Sequence, residues 1–424
     1  MSEASDQPLR LLVRDLAQLV TAPLGASVPL RGPALRELEV VEDAFVLCEG
    51  ETVAAAGSMR DLAGLGVDGV EEVDGSGLCA IPGLVDCHTH PAFLGDRVEE
   101  FALRAVGASY EELHAAGGGI LSSVRATRAG SEEELRAAVR RHADSMLRAG
   151  TTTFEGKSGY GLDRATELAS LEAVEAAGGS PTWLGAHALP PEFEDADAYL
   201  DFALADVLPA AAEIAVAADV FVEEGAFSVE QARRYLTACG EAGLALRLHG
   251  DQFNELGAVA LAIELGARSI DHLEATGHGG VQALAASDVT AVLLPASALF
   301  LDRPMPPARA LADAGAAIAL ATDFNPGSAF CESLALVCSL ACTQLHLAPA
   351  EALAACTVNA AHVLGLADRR GRIGSGQDAD LVLLDAPDWR HLAYHLGGDL
   401  IAAVIRRGSS SMSASTSSRA HCAA

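Results

Sequence analysis

The sequence predicts an α/β chain, a (β/α)8 TIM-type barrel flanked by a small β-sandwich built from both chain ends. Three observations carry this. From about residue 81 to residue 323, short apolar runs alternate with Ala/Glu/Arg-rich helical stretches. Buried strands alternating with helices over ~250 residues are the pattern of a parallel barrel. The first 78 residues read instead as short β-type runs between Pro- and Gly-bearing turns, and one more strand-like run returns at residues 379–384.

In order, residues 1–78 are expected to form the N-terminal part of the sandwich, with runs at 11–13, 39–46 and 53–56. Residues 79–366 are expected to form the barrel. Its eight strand-like runs fall at 80–86, 151–155, 182–186, 219–222, 245–248, 269–270, 290–294 and 317–321. Helix starts are marked by Ser131 with Glu134 and by Ser228 with Gln231, both capping-box pairs. Gly150 and Gly243 stand where helices would end. A helix is expected at 350–366, then the C-terminal part of the sandwich at 367–408. The Ser- and Ala-rich stretch 409–424 reads as a disordered tail.

Composition excludes several classes. Of 424 residues, 28 are basic and 58 acidic, a formal charge of −30. Phosphate polymers and anionic lipid surfaces are repelled by such a field, so no nucleic-acid or membrane partner is expected. Half the residues are hydrophobic and a fifth charged, which excludes a disordered or fibrous chain. The nine cysteines contain no Cys-x-x-Cys pair, and Cys331, Cys338 and Cys342 share one helical face. They read as free thiols of a reducing compartment, and the start of the chain lacks a basic signal-peptide region, so a cytoplasmic protein is expected. The longest uncharged run, 333–350, is too polar for a membrane span and reads as a core helix. Among the basic residues only Lys157 is a lysine.

Barrel chemistry gathers at the C-terminal strand ends, and here those ends are polar. They read His88-Thr-His90, Glu155-Gly-Lys157-Ser-Gly-Tyr160, His187, Glu223-Glu224, His249-Gly-Asp251-Gln252, Asp271-His272 and Asp323-Phe-Asn325-Pro-Gly327-Ser328. Side chains on a strand repeat with period two, so His88 and His90 point to one side. Two imidazoles there suit a metal, and His249 and Asp323 would complete its sphere with room left for water.

His88, His90, His249, His272 and Asp323, in this order and spacing, resemble the amidohydrolase superfamily over about residues 10–407. Four longer stretches resemble those members that open the imidazolone ring in histidine degradation. They are His88-Thr-His-Pro-Ala-Phe-Leu-Gly-Asp-Arg97 with Glu100-Phe101, Gly117-Gly-Gly-Ile120-Leu-Ser with Ala126-Thr-Arg128, Lys157-Ser-Gly-Tyr160-Gly, and Thr322 through Ser328. The resemblance implies hydrolysis of the cyclic amide of 4-imidazolone-5-propanoate to N-formimidoyl-L-glutamate. The alternative is a related deaminase acting on a heterocyclic base.

The resemblance also implies roles. His88, His90, His249 and Asp323 match ligands of one divalent or trivalent ion, zinc or iron, which lowers the pKa of its water to about 7. Some superfamily members bridge two metals with a carboxylated lysine on strand four; here strand four ends in glutamates, so one metal is expected. Asp323 would also relay the water's proton, and His272 would polarise the carbonyl or orient the nucleophile. Arg97 matches the clamp for the substrate carboxylate, a cation the acidic barrel needs locally. Tyr160, His187, Gln252, Asn325, Gly327 and Ser328 match substrate-contact positions. A small-molecule substrate and a homodimer follow from the same resemblance. Lys157 reads in more than one way, as an offset to the nearby carboxylates, as a support of the Tyr160 loop, or as an ion pair to Glu155 or Glu223, and is left outside the catalytic set. The family ends in a last sandwich strand beyond Arg407-Gly408 that Ser409 onward does not resemble.

Overall fold

The computed structural model describes residues 9–107 and 118–412. In the first sheet, β1 (Arg10–Thr21) runs antiparallel to β2 (Glu39–Glu49), with Val13 opposite Val46, and β2 to β3 (Thr52–Ser58). On its other side β1 takes β4 (Glu71–Asp74) and β5 (Cys79–Pro82) in parallel. The second sheet holds eight parallel strands. They are β6 (Leu84–Asp86), β7 (Thr151–Lys157), β8 (Ser180–Ala186), β9 (Ala217–Val222), β10 (Ala245–Gly250), β11 (Ser269–His272), β12 (Thr290–Leu293) and β13 (Ile318–Leu320). The chain then returns to the first sheet with β14 (Leu381–Leu384) against β5, followed by β15 (Ile401–Arg406) and β16 (Ser409–Met412). The two chain ends thus share one mixed sheet of eight strands.

Each of the eight barrel runs becomes a strand, with one revision. The run 80–86 is two strands: its first half pairs with β1 and β14, its second with β7. Gly83 is the crossing point, where a Cβ would collide with the Thr152 side chain. Both capping boxes form, and each Ser cap contributes about 1 kcal/mol.

Three other expectations are corrected. The helix 350–366 is two helices, Pro349–Ala355 and Val358–Val363, because Thr357 leaves the helical region and bonds back to Leu353 O at 2.6 Å. Residues 409–412 are a strand and not tail. Arg407 and Gly408 both adopt positive φ (49° and 71°) and join Arg406 to its partner Ser409 in a two-residue hairpin, a turn that sets the strand register whatever the following side chains are. Residues 1–8, Gly117 in the second motif and 413–424 lie outside the described residues. Cys331 precedes the helix Leu334–Thr343 that carries Cys338 and Cys342; the eight described cysteines are free.

The barrel closes where its first and last strand ends meet. Thr322 donates its N–H (3.1 Å) and hydroxyl (2.6 Å) to the two oxygens of buried Asp86, whose carboxyl burial pushes up to about 6. Asp323 N–H donates to His88 O at 3.1 Å and His90 N–H to Phe324 O at 2.8 Å. The segments bearing His88, His90 and Asp323 are therefore bonded to one another. A cavity of about 580 Å³ opens at the opposite end of the barrel, lined by Arg268, Asp288, Val289 and His362 among others, away from these residues. No described helix is long and apolar enough to cross a membrane.

Candidate active site

Three imidazole nitrogens and one carboxylate oxygen converge at the closed strand ends. His88 Nε2 and His90 Nε2 lie 3.2 Å apart, and His249 Nε2 is 3.3 Å from His90 Nε2. Asp323 Oδ1 is 3.4 Å from His88 Nε2 and 3.5 Å from His90 Nε2. Ligands at 2.0–2.1 Å from a tetrahedral ion stand about 3.3–3.4 Å apart, which matches the spacings among His88, His90 and Asp323 and from His90 to His249; ring nitrogens of His88 and His249 also group with one of His272. All four side chains are buried. Burial holds His90 well below the ordinary histidine range and takes His249 down to about 3, so both imidazoles are neutral and ready to ligate. For His88, burial and Lys157 push down, but Asp271 and Asp323 outweigh them and hold the group above its ordinary value. A cation at Nε2 would replace that proton.

His272 completes the group, its ring 5.7 Å from His88 and 5.3 Å from His249. It also lies near Glu274, 3.5 Å from Nδ1 to Oε1. Both His272 and Asp323 are left-handed (φ 87° and 56°), unusual for residues with side chains. Such conformations cost on the order of 1–3 kcal/mol and collect at functional sites.

Beneath this group lies a buried ionic network. His88 Nδ1 is 2.6 Å from Asp271 Oδ2 and His249 Nδ1 is 3.0 Å from Asp219 Oδ1. Each carboxylate takes the Nδ1–H, which leaves Nε2 free as a ligand and fixes the ring. Lys157 Nζ donates to Glu155 (2.9 Å) and Asp219 (2.7 Å). Arg247 donates to Glu155, to Asp271 (3.0 Å) and to Cys87 O (2.7 Å). The lone lysine thus meets one expected partner, Glu155, and its second is Asp219. Glu223 is elsewhere, accepting from Phe253 N–H (2.9 Å) and Asn254 Nδ2 (2.7 Å). Glu155, Asp219, Asp271 and Asp323 outnumber Lys157 and Arg247 in the connected cluster, and Glu274 beside His272 adds to the negative excess. A bound cation would offset that excess.

The rim carries the remaining expected residues. His187 stacks on His90 with ring centres 5.7 Å apart, and Tyr160 lies 5.3 Å from His187 and 6.2 Å from His90. Burial takes His187 down to about 4, a neutral ring at pH 7. Asn325 shapes the last loop: its Oδ1 accepts from Gly327 N–H (2.8 Å) and Ser328 N–H (2.7 Å), and its Nδ2 donates to Asp323 O (2.6 Å). Ser328 hydroxyl reaches Asp323 Oδ2 at 3.3 Å. Arg97 packs against Gly327, where any Cβ would collide with the guanidinium. It is not free, since Nε donates to Glu100 Oε2 at 2.9 Å. Gln252 is buried two residues past the end of β10.

Sequence reasoning gave no site role to Asp219, Asp271, Glu155, Arg247 or Glu100. A signal was present: Glu155 with Lys157, and Arg247 with His249, stand two apart in strand runs and so face one side, that of the ligands.

Comparison with known proteins agrees with this geometry. Residues 79–410 match the amidohydrolase family. The chain is 62% identical over 408 residues to the imidazolonepropionase of Rubrobacter xylanophilus, covering 94% of this chain and 97% of that one. To the imidazolonepropionase of Chloroflexus aggregans it is 46% identical over 421 residues, 95% and 98% of the two chains. In three dimensions it is similar to a zinc-bound adenosine deaminase from Xanthomonas campestris (TM-score 0.71, 19% identity, 96% of this chain and 93% of that one). It is also similar to the guanine deaminase of E. coli (TM-score 0.70, 16% identity, 95% and 98%). At such identities these two likenesses are of fold alone.

Proposed function

Because the chain belongs to the amidohydrolase family, we propose from its site how it performs the reaction its curated relatives are named for. The enzyme is a hydrolase of histidine degradation. It opens the cyclic amide of 4-imidazolone-5-propanoate and yields N-formimidoyl-L-glutamate. The observation that carries the reading is the meeting of His88 Nε2, His90 Nε2 and Asp323 Oδ1 within 3.5 Å of one another, with His249 Nε2 3.3 Å from His90 Nε2, beside the loop against which Arg97 packs.

His88, His90, His249 and Asp323 would hold one ion, zinc or iron. When bound, such an ion polarises the ring carbonyl and lowers the pKa of water to about 7. Asp323 receives the proton of the attacking water on Oδ2, the oxygen facing Ser328, and passes it to the ring nitrogen as the C–N bond breaks. His272 donates to the carbonyl oxygen as negative charge builds there. Tyr160 and His187 wall the ring. Gln252 offers an amide, both donor and acceptor, to the ring's N–H and C=O edge. Arg97 binds the propanoate carboxylate bidentately in exchange for Glu100. A neutral heterocyclic base has no carboxylate to occupy this clamp, which favours the imidazolone over a deaminase substrate.

With purified, metal-loaded enzyme, the imidazolone absorbance is expected to decay enzymatically. A chelator should abolish the decay, and zinc or iron at about one ion per chain should restore it. Activity that survives complete metal removal would overturn the assignment. Arg97→Ala should raise KM by about 10–100-fold, the value of a charge-assisted pair, with a smaller change in kcat. An unchanged KM would remove Arg97 from the pocket. The reading extends to a cytoplasmic homodimer, on the likeness to the relatives; light scattering should then give twice the 43.5 kDa chain mass.

A further inference from the structure

We propose that Glu167 is a positioning residue of the substrate pocket, setting Tyr160 and His187 through the backbone of the loop 158–162. This rests on the reading of those two side chains as substrate contacts. Glu167 lies on the helix Arg164–Ala176 and is 1% exposed. Its Oε1 accepts from three backbone N–H groups, those of Gly159 (3.0 Å), Gly161 (2.8 Å) and Leu162 (2.9 Å), while Oε2 is 3.2 Å from Gly159 N. Among the described residues Glu167 makes no ion pair, although a buried carboxylate without a cation is costly. Its compensation is the loop itself.

The loop is shaped for that carboxylate. Residues 158–162 are buried, so no bulk water stands in for a missing acceptor. Gly159 and Leu162 are left-handed (φ 101° and 54°), which turns successive N–H groups inward. At Gly161 a Cβ would lie 2.7 Å from Glu167 N and 2.9 Å from Oε1, so only glycine admits the carboxylate. Arg128 donates to Gly161 O from the other side.

The consequences reach the pocket by two short routes. Tyr160 sits between two residues whose N–H groups are both tied to Oε1, so its backbone has no slack. The carbonyl of Gly159 lies 2.9 Å from His187 Nδ1, so the residue that donates to Glu167 also orients that imidazole. A Cβ on Gly159 would stand 3.0 Å from the same nitrogen. One carboxylate thereby holds two side chains that line the ring site, and neither touches it.

The test compares Glu167→Ala, Glu167→Asp and Glu167→Gln in the full metal-loaded enzyme, reading kcat, KM and metal content. Alanine removes the acceptor, and aspartate withdraws it by one methylene. Both should raise KM by about 10–100-fold, the effect of roughly ångström misplacement, while metal content stays at the wild-type level. Glutamine keeps an acceptor at Oε1 and should restore KM to within about fivefold of wild type. If alanine does not yield folded enzyme, the aspartate variant decides alone. A folded alanine or aspartate variant with wild-type KM overturns the proposal, as does metal loss that tracks the rise in KM. Tyr160→Ala separates the two levels. If it raises KM while the Glu167 variants do not, only this inference fails. If Tyr160→Ala also leaves KM unchanged, the pocket reading fails beneath it.

Discussion

Asp323→Asn is expected to lower kcat by about 10²–10⁴-fold in an enzyme that still folds, the range for losing a positioned proton acceptor. Asparagine is the informative replacement because residue 323 is left-handed (φ 56°). Asparagine adopts that conformation readily, whereas alanine would add backbone strain to the chemical loss. The amide also keeps the volume and one oxygen, so the bond between its N–H and His88 O and the bond from Asn325 Nδ2 to its carbonyl persist. What disappears is the anionic pair of oxygens: one sits 3.4–3.5 Å from His88 and His90, the other faces Ser328. An amide nitrogen cannot accept the water's proton. The melting temperature should stay within a few degrees of wild type, since barrel closure through Asp86 and Thr322 is untouched. Measuring kcat, bound metal and melting temperature together decides the matter. A metal-loaded asparagine variant within tenfold of wild-type kcat would take proton relay away from Asp323.

The strand-end residues were legible because a parallel barrel leaves polar side chains few other uses at those positions. His88 and His90 announced their common side through period two, and His249, His272 and Asp323 each closed a run of apolar residues. The support beneath them was not read, because charges inside a strand look like ordinary ion pairs when partners are counted along the chain. Glu155, two residues from Lys157, is a partner that the sequence offers, but Asp219 is 62 residues away and only the β7–β8–β9 order brings it to the lysine. Glu223 was the wrong candidate for a local reason: past the end of β9 its carboxylate turns to the N–H groups of residues 253 and 254. The last strand was missed since Ser-rich sequence carries no apolar alternation. Its register comes from the Arg407-Gly408 turn and from the open edge of β15. Arg97 is legible as a cation near the mouth, but its pairing with Glu100, three residues on, is seen only in the structure.

Lys157→Met should cost about 3–5 kcal/mol of stability, because it strands buried carboxylates and does not merely delete a contact. Lys157 Nζ is wholly buried between Glu155 and Asp219, and 3.8 Å from Asp271. Methionine fills much of the volume, so the cavity contribution is small and the charge contribution dominates. Arg247 still answers Glu155 and Asp271, but Asp219 then keeps only the imidazole of His249. Two consequences follow with opposite signs. Added negative charge attracts a cation more strongly, yet the ring held by Asp219 loses its fixed orientation. Loss of such support beneath a ligand typically weakens metal binding by about 10–100-fold, and that effect should win because the ligand must be aimed before charge can act. Chelator competition should show the weaker binding, and the metal-free variant should melt roughly 3–6 °C below wild type. Charge imbalance can be separated from packing by adding Glu155→Gln. Removing one surplus carboxylate should return part of the lost stability to the Lys157→Met background, while in the wild-type background the same change should destabilise. If the double variant is instead less stable than Lys157→Met, packing and not charge governs the site of the only lysine.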